Sequence, residues 1–137
     1  MMYIPIEHNY SFELNKQFTV SSAHYIDHKE AGKCARIHGH NYNIQLTIGG
    51  DSLDELGFLV NFSLLKKEIH DWLDHQLINE LPEFNTVEPS TEQVAYQIYL
   101  KGQHYLTRQQ NNPKLLQVFV QETDSSYAIY RPKEHQS

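Results

Sequence analysis

The stretch that decides the fold is residues 18–48, which read FTVSSAHYIDHKEAGKCARIHGHNYNIQLTI. In its second half, glycine or polar residues alternate with His38, His40, Tyr42, Ile44, Leu46 and Ile48. In its first half, one alternating set consists of Phe18, Val20, Ser22 and His24. Because strand side chains point alternately to opposite faces, each half predicts a strand with one largely apolar face. All three histidines fall on these apolar faces.

These histidines, His24, His38 and His40, meet at one end of a sheet if the two predicted strands pair antiparallel. Converging neutral imidazoles favour a divalent metal, above all zinc, which binds each ring nitrogen at about 2.0–2.1 Å. Three protein ligands leave a fourth position open, as in catalytic sites, whereas a structural zinc is closed by a fourth side chain. The alternative is a cluster of hydrogen-bonded histidines beneath a loop.

Length, charge and cysteine content narrow the class of protein. A chain of 137 residues suits one domain, spanning 1–137, with a core of its own. A formal net charge of −6 argues against a general binder of nucleic acid or anionic membranes, but it is compatible with a small anionic substrate. A single cysteine excludes an internal disulfide framework and fits a reducing compartment. Because no segment resembles a membrane span or a targeting signal, we expect a cytoplasmic protein.

The only cysteine lies in a polar loop, residues 25–37, shortly before the second strand. A thiolate is the reactive form of cysteine, and the positive charge of Lys33, Arg36 or a bound metal would favour it at Cys34. Cys34 is therefore a candidate general base, nucleophile or fourth metal ligand. The alternative is an inert thiol, which is the usual state of cysteines in apolar surroundings.

Two amphipathic helices follow the second strand. The first is predicted over residues 62–73, with Asn61 as its N-cap and apolar residues at helical spacing. The second begins after Ser90, where the sequence Ser-Thr-Glu-Gln predicts a capping box in which Gln93 reaches back to Ser90. Its end stays open, because Gly102 or a later polar stretch could stop it.

An acidic residue and a histidine, Asp74 and His75, stand together at the end of the first predicted helix. A carboxylate beside an imidazole can fix its tautomer and raise its basicity, which is typical of an acid–base dyad. Adjacent residues on a helix do not face each other, however. The pair is also compatible with a simple helix terminus, where a cation interacts with the negative end of the helix dipole.

A third strand is predicted over residues 115–123 and a fourth over residues 127–130, joined by the turn signal Asp124-Ser125-Ser126. One face of the third strand holds Leu116, Val118, Val120 and Glu122. An unpaired carboxylate on an apolar face is costly, so Glu122 needs a partner. A ligand with two N–H donors would provide one, and at a strand end water would serve as well.

The element order is strand, strand, helix, helix, strand, strand, which predicts an α+β domain. We expect a four-stranded antiparallel sheet backed by two helices, in ββααββ order. Such a sheet has two open edges, and open edges usually need a partner.

Five stretches of the chain resemble the motifs of one enzyme family and together run through nearly the whole sequence. They are Ser22-Ala23-His24, Cys34 with His38-Gly39-His40, Leu73-Asp74-His75-Gln76-Leu77-Ile78-Asn79, Pro89-Ser90-Thr91-Glu92 and Gln121-Glu122-Thr123. Their order and spacing resemble the 6-pyruvoyl-tetrahydropterin synthase and 6-carboxytetrahydropterin synthase family. The three residues between Cys34 and His38 resemble its bacterial carboxytetrahydropterin branch, since the animal pyruvoyl branch usually has a longer gap.

The resemblance implies a tunnelling fold whose subunits assemble into a homohexamer of two stacked trimers, which would cover the open edges. It implies zinc on the three histidines, with substrate hydroxyls at the open position. It also implies that Cys34 is a general base and that Asp74 and His75 form a second acid–base group. The side chains that it implies in pterin binding are Glu122, which would anchor the ring, Thr91 and Thr123.

The implied reaction converts 7,8-dihydroneopterin triphosphate to 6-carboxytetrahydropterin, acetaldehyde and triphosphate, an early step towards queuosine. Zinc would stabilise developing alkoxide or enolate charge, and a cysteine and a histidine would transfer protons. Arg36 and Lys33 are the expected cations for the triphosphate. Two other hypotheses stay open: a pyruvoyl-type synthase that eliminates triphosphate, and a zinc-dependent binding or assembly protein without turnover.

Overall fold

Four strands form one antiparallel sheet in the order β1-β2-β3-β4 in the computed structural model, which describes residues 2–133. The strands are β1 (Phe12–His24), β2 (His38–Gly50), β3 (Lys114–Thr123) and β4 (Ser126–Tyr130). The helices are α1 (Phe62–Leu73) and α2 (Thr91–Thr107), and short 3₁₀ turns lie at Gly32–Ala35, Ile78–Glu80 and Pro82–Phe84. The predicted α+β class and ββααββ order are confirmed.

The long pair β1 and β2 sets the face of the sheet that the helices cover. Phe18 is opposite Ile44 and Val20 is opposite Tyr42, and all four side chains are buried in the core. β1 is continuous through the three polar residues 15–17. On the other face, Asn15 Oδ1 accepts a hydrogen bond from Thr47 Oγ1 at 2.8 Å. Lys16 lies on the same face as Phe18, with its Nζ 5.6 Å from the centre of the Phe62 ring.

β3 contains an irregularity that changes which residue enters the core. Thr47 pairs with Gln117 and Ile48 pairs with Leu115, so Leu116 is an extra residue in a β-bulge. Leu115 is buried in the core, whereas Leu116 is half-buried and lies over Gly49. The predicted face is therefore correct for Val118 and Val120 and wrong at Leu116.

Both helices begin at the caps that the sequence predicts. Asn61 Oδ1 accepts a hydrogen bond from the Leu64 N–H at 3.4 Å, and Ser90 Oγ accepts one from the Gln93 N–H at 3.2 Å. The reciprocal half of the predicted capping box is wrong, because Gln93 Oε1 is buried without a hydrogen-bond partner in the described part of the chain. These caps satisfy N–H groups that an isolated helix start would leave unpaired.

Gly102 does not end α2, which continues to Thr107. A Cβ atom at this position would lie 2.9 Å from Leu115 Cδ2, closer than side chains normally approach. The glycine therefore lets α2 pack closely on β3, and its presence in the sequence reflects helix–sheet packing rather than a helix stop.

α1 and α2 pack on one side of the sheet and form the hydrophobic core with it. Within residues 2–133, no helix is long and apolar enough to cross a membrane. The segment before β1 has no regular secondary structure, but Gln117 Nε2 donates a hydrogen bond to the Ile4 carbonyl at 2.6 Å and so holds it to the sheet.

Alanine substitutions of two neighbouring leucines on α1 test which face of this helix packs in the core. Leu65 is 0% exposed and Leu64 is 51% exposed. We expect Leu65→Ala to lower the free energy of unfolding by about 2–5 kcal/mol, because it removes buried methyl groups and leaves a cavity. Leu64→Ala should change it by less than about 0.5 kcal/mol. Urea denaturation followed by circular dichroism checks both values, and equal losses would contradict the assigned core face of α1.

Candidate metal centre and adjoining cavity

Three histidine rings meet where β1 ends and β2 begins. The register pairs His24 with His38 and Ser22 with His40, so all three histidines lie on the same face at the same end of the sheet. Their ring centroids are 4.5 Å (His24–His38), 5.0 Å (His24–His40) and 4.8 Å (His38–His40) apart. Strand alternation and the antiparallel register of β1 and β2 therefore bring the predicted trio together.

Backbone carbonyls orient two of the rings. The Nδ1 atom of His24 donates to the Pro89 carbonyl at 2.7 Å, and the Nδ1 atom of His38 donates to the Arg36 carbonyl at 2.7 Å. Because a carbonyl oxygen only accepts, these nitrogens carry the ring protons and each Nε2 keeps a lone pair. Ligating histidines are commonly fixed in this way through the nitrogen that does not bind the metal.

A carboxylate completes the cluster. Glu122 Oε1 lies 3.0 Å from His40 Nε2 and 3.9 Å from His24 Nε2. The ligand atoms of the three histidines and Glu122 all lie within 4.8 Å of one another. Sequence reasoning assigned Glu122 to the pterin ring and did not find its place beside the histidines, although its position on an apolar strand face had indicated an unidentified partner.

Glu122 is held in place by its backbone and by a buried hydroxyl. Gln121 pairs with Tyr127 and Thr123 pairs with Ser126, so Glu122 lies at a second irregularity of β3, which redirects its side chain. Its Oε2 atom accepts a hydrogen bond from Thr91 Oγ1 in the first turn of α2. The structure therefore brings two of the predicted substrate-binding residues, Thr91 and Glu122, into contact.

Burial favours the neutral form of two of the rings. Desolvation lowers the pKa of His24 and of His40, while the Glu122 carboxylate acts in the opposite direction on both. Burial, with a smaller contribution from Glu122, raises the pKa of Tyr42, so its phenol stays protonated next to His24. Neutral imidazoles are the form that binds metals, so these two histidines are ready to act as ligands near neutral pH.

The donor set fits a divalent cation. His24 Nε2 and His40 Nε2 are buried and lack a hydrogen-bond partner among residues 2–133. Buried polar atoms are rarely left unpaired, and a buried nitrogen without a hydrogen-bond partner is typical of a site that binds an ion. Three imidazoles and a carboxylate form a donor set that zinc accepts.

Asp74 and His75, the predicted acid–base pair, lie just past the end of α1. Asp74 is the C-cap in an extended conformation and His75 has φ 57°, so the two residues are no longer on a helix. Asp74 Oδ2 lies 3.4 Å from His75 Nε2, while Oδ1 accepts the Ser21 N–H at 2.9 Å. Adjacent residues on a helix do not face each other, but the backbone here is not helical, so the two side chains can approach. His70 Nε2, which sequence reasoning missed although its i,i+4 spacing indicates contact, lies 3.6 Å from the same oxygen.

An open cavity of about 510 Å³ connects the dyad to the metal cluster. Its lining includes His40 on one side and His75 on the other, with the end of β1 between them. The His75 side chain is 85% exposed and faces this space. A molecule in the cavity would therefore lie beside one residue of the cluster, His40, and beside His75.

Other predicted site residues lie outside this cavity lining. Cys34 is exposed in the 3₁₀ turn, and its carbonyl accepts the Ile26 N–H at 2.7 Å. Arg36 is exposed and contributes its carbonyl to His38, while exposed Thr123 pairs with Ser126. Within the described part of one chain, the structure does not bring these three side chains to the cavity.

Comparison with known proteins agrees with the motifs. The family model described as 6-pyruvoyl tetrahydropterin synthase matches residues 13–133. A 6-carboxy-5,6,7,8-tetrahydropterin synthase from Bacillus subtilis is 48% identical, over 97% of this chain and 94% of that protein. A protein of the same name from Synechocystis is 32% identical, over 84% and 89%. A 6-pyruvoyl tetrahydrobiopterin synthase from Dictyostelium discoideum is 30% identical, over 73% and 74%.

A solved structure shares the fold. The 6-pyruvoyl tetrahydropterin synthase of Caenorhabditis elegans superposes with a TM-score of 0.72 at 23% identity, covering 89% of this chain and 96% of that one. This likeness extends over the sheet and both helices and supports the architecture alone. The family model and the relatives show that this chain belongs to the 6-pyruvoyl tetrahydropterin synthase family.

Proposed function

We propose that this chain is a lyase that converts 7,8-dihydroneopterin triphosphate to 6-carboxy-5,6,7,8-tetrahydropterin, acetaldehyde and triphosphate, on the route to queuosine. The observation that carries the proposal is the cluster of three histidines and Glu122 beside a cavity that also holds His75. The choice of the carboxytetrahydropterin reaction is supported by the 48% identity to the Bacillus subtilis relative over nearly the whole chain.

The proposed metal is zinc, held by His24, His38 and His40. When bound, it would act as a Lewis acid that stabilises negative charge developing on a substrate oxygen. The Pro89 and Arg36 carbonyls keep two of the rings in the tautomer that this role needs.

Two side chains are proposed to transfer protons, the exposed imidazole of His75 and the thiol of Cys34. Asp74 lies 3.4 Å from His75 Nε2, so it can orient the ring and stabilise its protonated form. His75 faces the cavity and is proposed to exchange a proton with the substrate side chain. Cys34 is proposed as the second general base, and its exposure leaves it accessible to a substrate.

Glu122 and Thr91 are proposed to recognise the pterin ring, because a carboxylate can accept both the amino and the ring N–H of a pterin. Thr123 lies next to Glu122 on β3 and is proposed for the same subsite. Arg36 and Lys33 are proposed to bind the triphosphate, because both are exposed cations on the loop before β2.

Assembly and location also belong to the proposal. The outer edge of β1 is bridged only near its end, where the Ala23 N–H donates to the Gln76 carbonyl at 2.9 Å, and no other strand within residues 2–133 pairs with it. A homohexamer of two stacked trimers would cover this edge and that of β4.

We propose that residues 1–137 act as one domain, of which residue 1 and residues 134–137 lie outside the described part. The single cysteine supports a cytoplasmic location.

Product analysis tests the proposed function. The zinc-loaded protein is incubated with 7,8-dihydroneopterin triphosphate, and the products are identified by mass spectrometry and by an acetaldehyde assay. We expect 6-carboxy-5,6,7,8-tetrahydropterin, acetaldehyde and triphosphate. Triphosphate with a pyruvoyl pterin and no acetaldehyde would instead favour a pyruvoyl-type synthase, the candidate that the Dictyostelium relative supports. No conversion by protein of confirmed metal content would remove both enzyme hypotheses.

Substitution of either of two aspartates near the end of α1 tests whether Asp74 and His75 act together in catalysis. Asp74→Asn is expected to lower kcat/KM by about 10²–10⁴-fold, because the amide can still accept the Ser21 N–H but no longer stabilises a protonated His75. Asp71→Asn is the matched control, since Asp71 is exposed and pairs with Lys67 on the surface. Steady-state kinetics at several pH values measure the difference. Equal activities of the two variants would show that Asp74 has no part in the reaction.

A further inference from the structure

Groups that would repel one another lie close together at the metal cluster. Glu122 Oε1 is 3.0 Å from His40 Nε2, yet neither this nitrogen nor His24 Nε2 has a hydrogen-bond partner among the described residues. The short distance is therefore a contact without hydrogen-bond alignment. His24 Nε2, 3.9 Å from the same oxygen, carries a lone pair because the ring proton is on Nδ1. An anionic oxygen beside the lone pair of His24 Nε2 in a buried site is unfavourable unless a cation lies between them.

The spacing of these atoms suits a single cation. Tetrahedral zinc with bonds of about 2.0–2.2 Å places neighbouring ligand atoms about 3.3–3.6 Å apart. The separations of Glu122 Oε1 from the two histidine nitrogens, 3.0 and 3.9 Å, lie on either side of that range. Glu122 Oε1 therefore lies at a distance that suits a fourth ligand at a site that three histidines alone leave open.

The second carboxylate oxygen is also occupied. Oε2 accepts a hydrogen bond from Thr91 Oγ1, and Thr91 is buried at the start of α2. The bulge in β3 directs the side chain, and Thr91 fixes its rotation, so that Oε1 points at the histidines. With Oε1 directed at the histidines and Oε2 bonded to Thr91, the carboxylate would have to turn before both of its oxygens could accept the two N–H groups of a ring.

We propose that Glu122 is the fourth ligand of the metal while no substrate is bound, and that it leaves the metal to accept the N–H groups of the pterin ring. The inference rests on the proposed function, which supplies the pterin. Ring binding and metal ligation then compete for one side chain. The site stays closed by four protein ligands until the ring arrives, and its binding frees one position beside the substrate side chain.

Cobalt titration tests the ligand role without any turnover. Co²⁺ is added to the metal-free full chain, and its affinity and visible spectrum are measured for wild type, Glu122→Gln and Glu122→Asp. Loss of an outer partner alone weakens metal binding about 10–100-fold, so loss of the ligand in Glu122→Gln should cost at least as much, with a changed cobalt spectrum. Glu122→Asp keeps the charge but shortens the reach, and we expect an intermediate loss.

Two further variants separate ligation from charge and from positioning. Asp124→Asn removes an exposed negative charge two residues away and should leave the spectrum and the affinity nearly unchanged. Thr91→Val removes the hydroxyl that holds Oε2 and should weaken Co²⁺ binding by about 10-fold. Wild-type affinity and spectrum in Glu122→Gln would overturn the ligand role, as would an equal loss in Asp124→Asn.

The exchange has a test of its own. 7,8-Dihydropterin, which lacks a side chain that could replace Glu122, is added to the cobalt-loaded wild type. We expect the cobalt spectrum to change and Co²⁺ affinity to fall, because a shared side chain couples the two sites reciprocally. An unchanged spectrum and affinity at all dihydropterin concentrations would overturn the exchange. Failure of the proposed reaction, by contrast, would show only in product analysis and would leave the cobalt results of Glu122→Gln standing.

Discussion

Replacement of His38 by alanine is expected to abolish measurable turnover and to prevent stable zinc binding. Loss of an outer partner of a ligand weakens metal affinity about 10–100-fold, so loss of a ligand should cost more than about 100-fold. His38 is the informative choice because its ring is less buried than that of His24, which is 2% exposed and packs against Tyr42. Its removal should therefore change metal binding far more than folding.

The measurements for this variant are zinc content after gel filtration, product formation and the thermal unfolding midpoint. His104→Ala is the matched control, because His104 is exposed on α2, and it should keep wild-type metal content and activity. A His38→Ala protein that retained one zinc ion per chain and full activity would remove His38 from the metal site. A fall in the unfolding midpoint of the metal-free variant, relative to metal-free wild type, would show that the ring also stabilises the fold.

The parts of this site that sequence predicts depend on residues close together in the chain. Strict alternation assigns the three histidines to one face, and a register shift of one residue would have sent a whole strand's set to the other side. The observed pairing of His24 with His38 keeps them together. Asn61 and Ser90 likewise bind N–H groups only three residues away, so their caps are visible in the sequence.

The features that sequence reasoning missed depend on segments far apart in the chain. The bulge at Leu116 arises from pairing with β2, and it moves Leu115 into the core, where it also packs on Gly102. Nothing local distinguishes Leu115 from Leu116, since both are large and apolar. Gly102 is a similar case. A glycine that ends a helix and a glycine that allows close packing look alike in the local sequence, because the packing partner, Leu115, lies on another element.

Glu122 shows the same limit at the site itself. Alternation indicated a carboxylate that needs a partner, but it left open whether the partner is a ligand or water. The answer depends on the register between β2 and β3, which sets Glu122 beside His40, and on the start of α2, which supplies Thr91. The Asp74–His75 contact similarly depends on the positive φ of His75, which follows from the chain's return to β1.

Substitution of Cys34 by alanine is the second change with a large expected effect, and it separates an enzyme from a zinc-binding protein without turnover. We expect kcat to fall by about 10²–10⁴-fold, the usual contribution of a general base, with zinc content unchanged. Zinc should be retained because the cluster that could hold it consists of other residues, and the exposed thiol is not among them. Since Cys34 is exposed, the free energy of unfolding should change by less than about 0.5 kcal/mol.

The chain allows a second, independent measurement, because Cys34 is its only cysteine. Iodoacetamide should inactivate the wild type in proportion to the fraction of thiol alkylated, without release of zinc. Cys34→Ser replaces the thiol with a hydroxyl of similar size, which is far harder to deprotonate. This variant should therefore be as inactive as Cys34→Ala. Lower activity in all three proteins with intact metal content assigns the thiol to catalysis. Full activity in Cys34→Ala would mean that the proton is taken elsewhere, and His75, the imidazole already facing the cavity, would then have to serve both proton transfers.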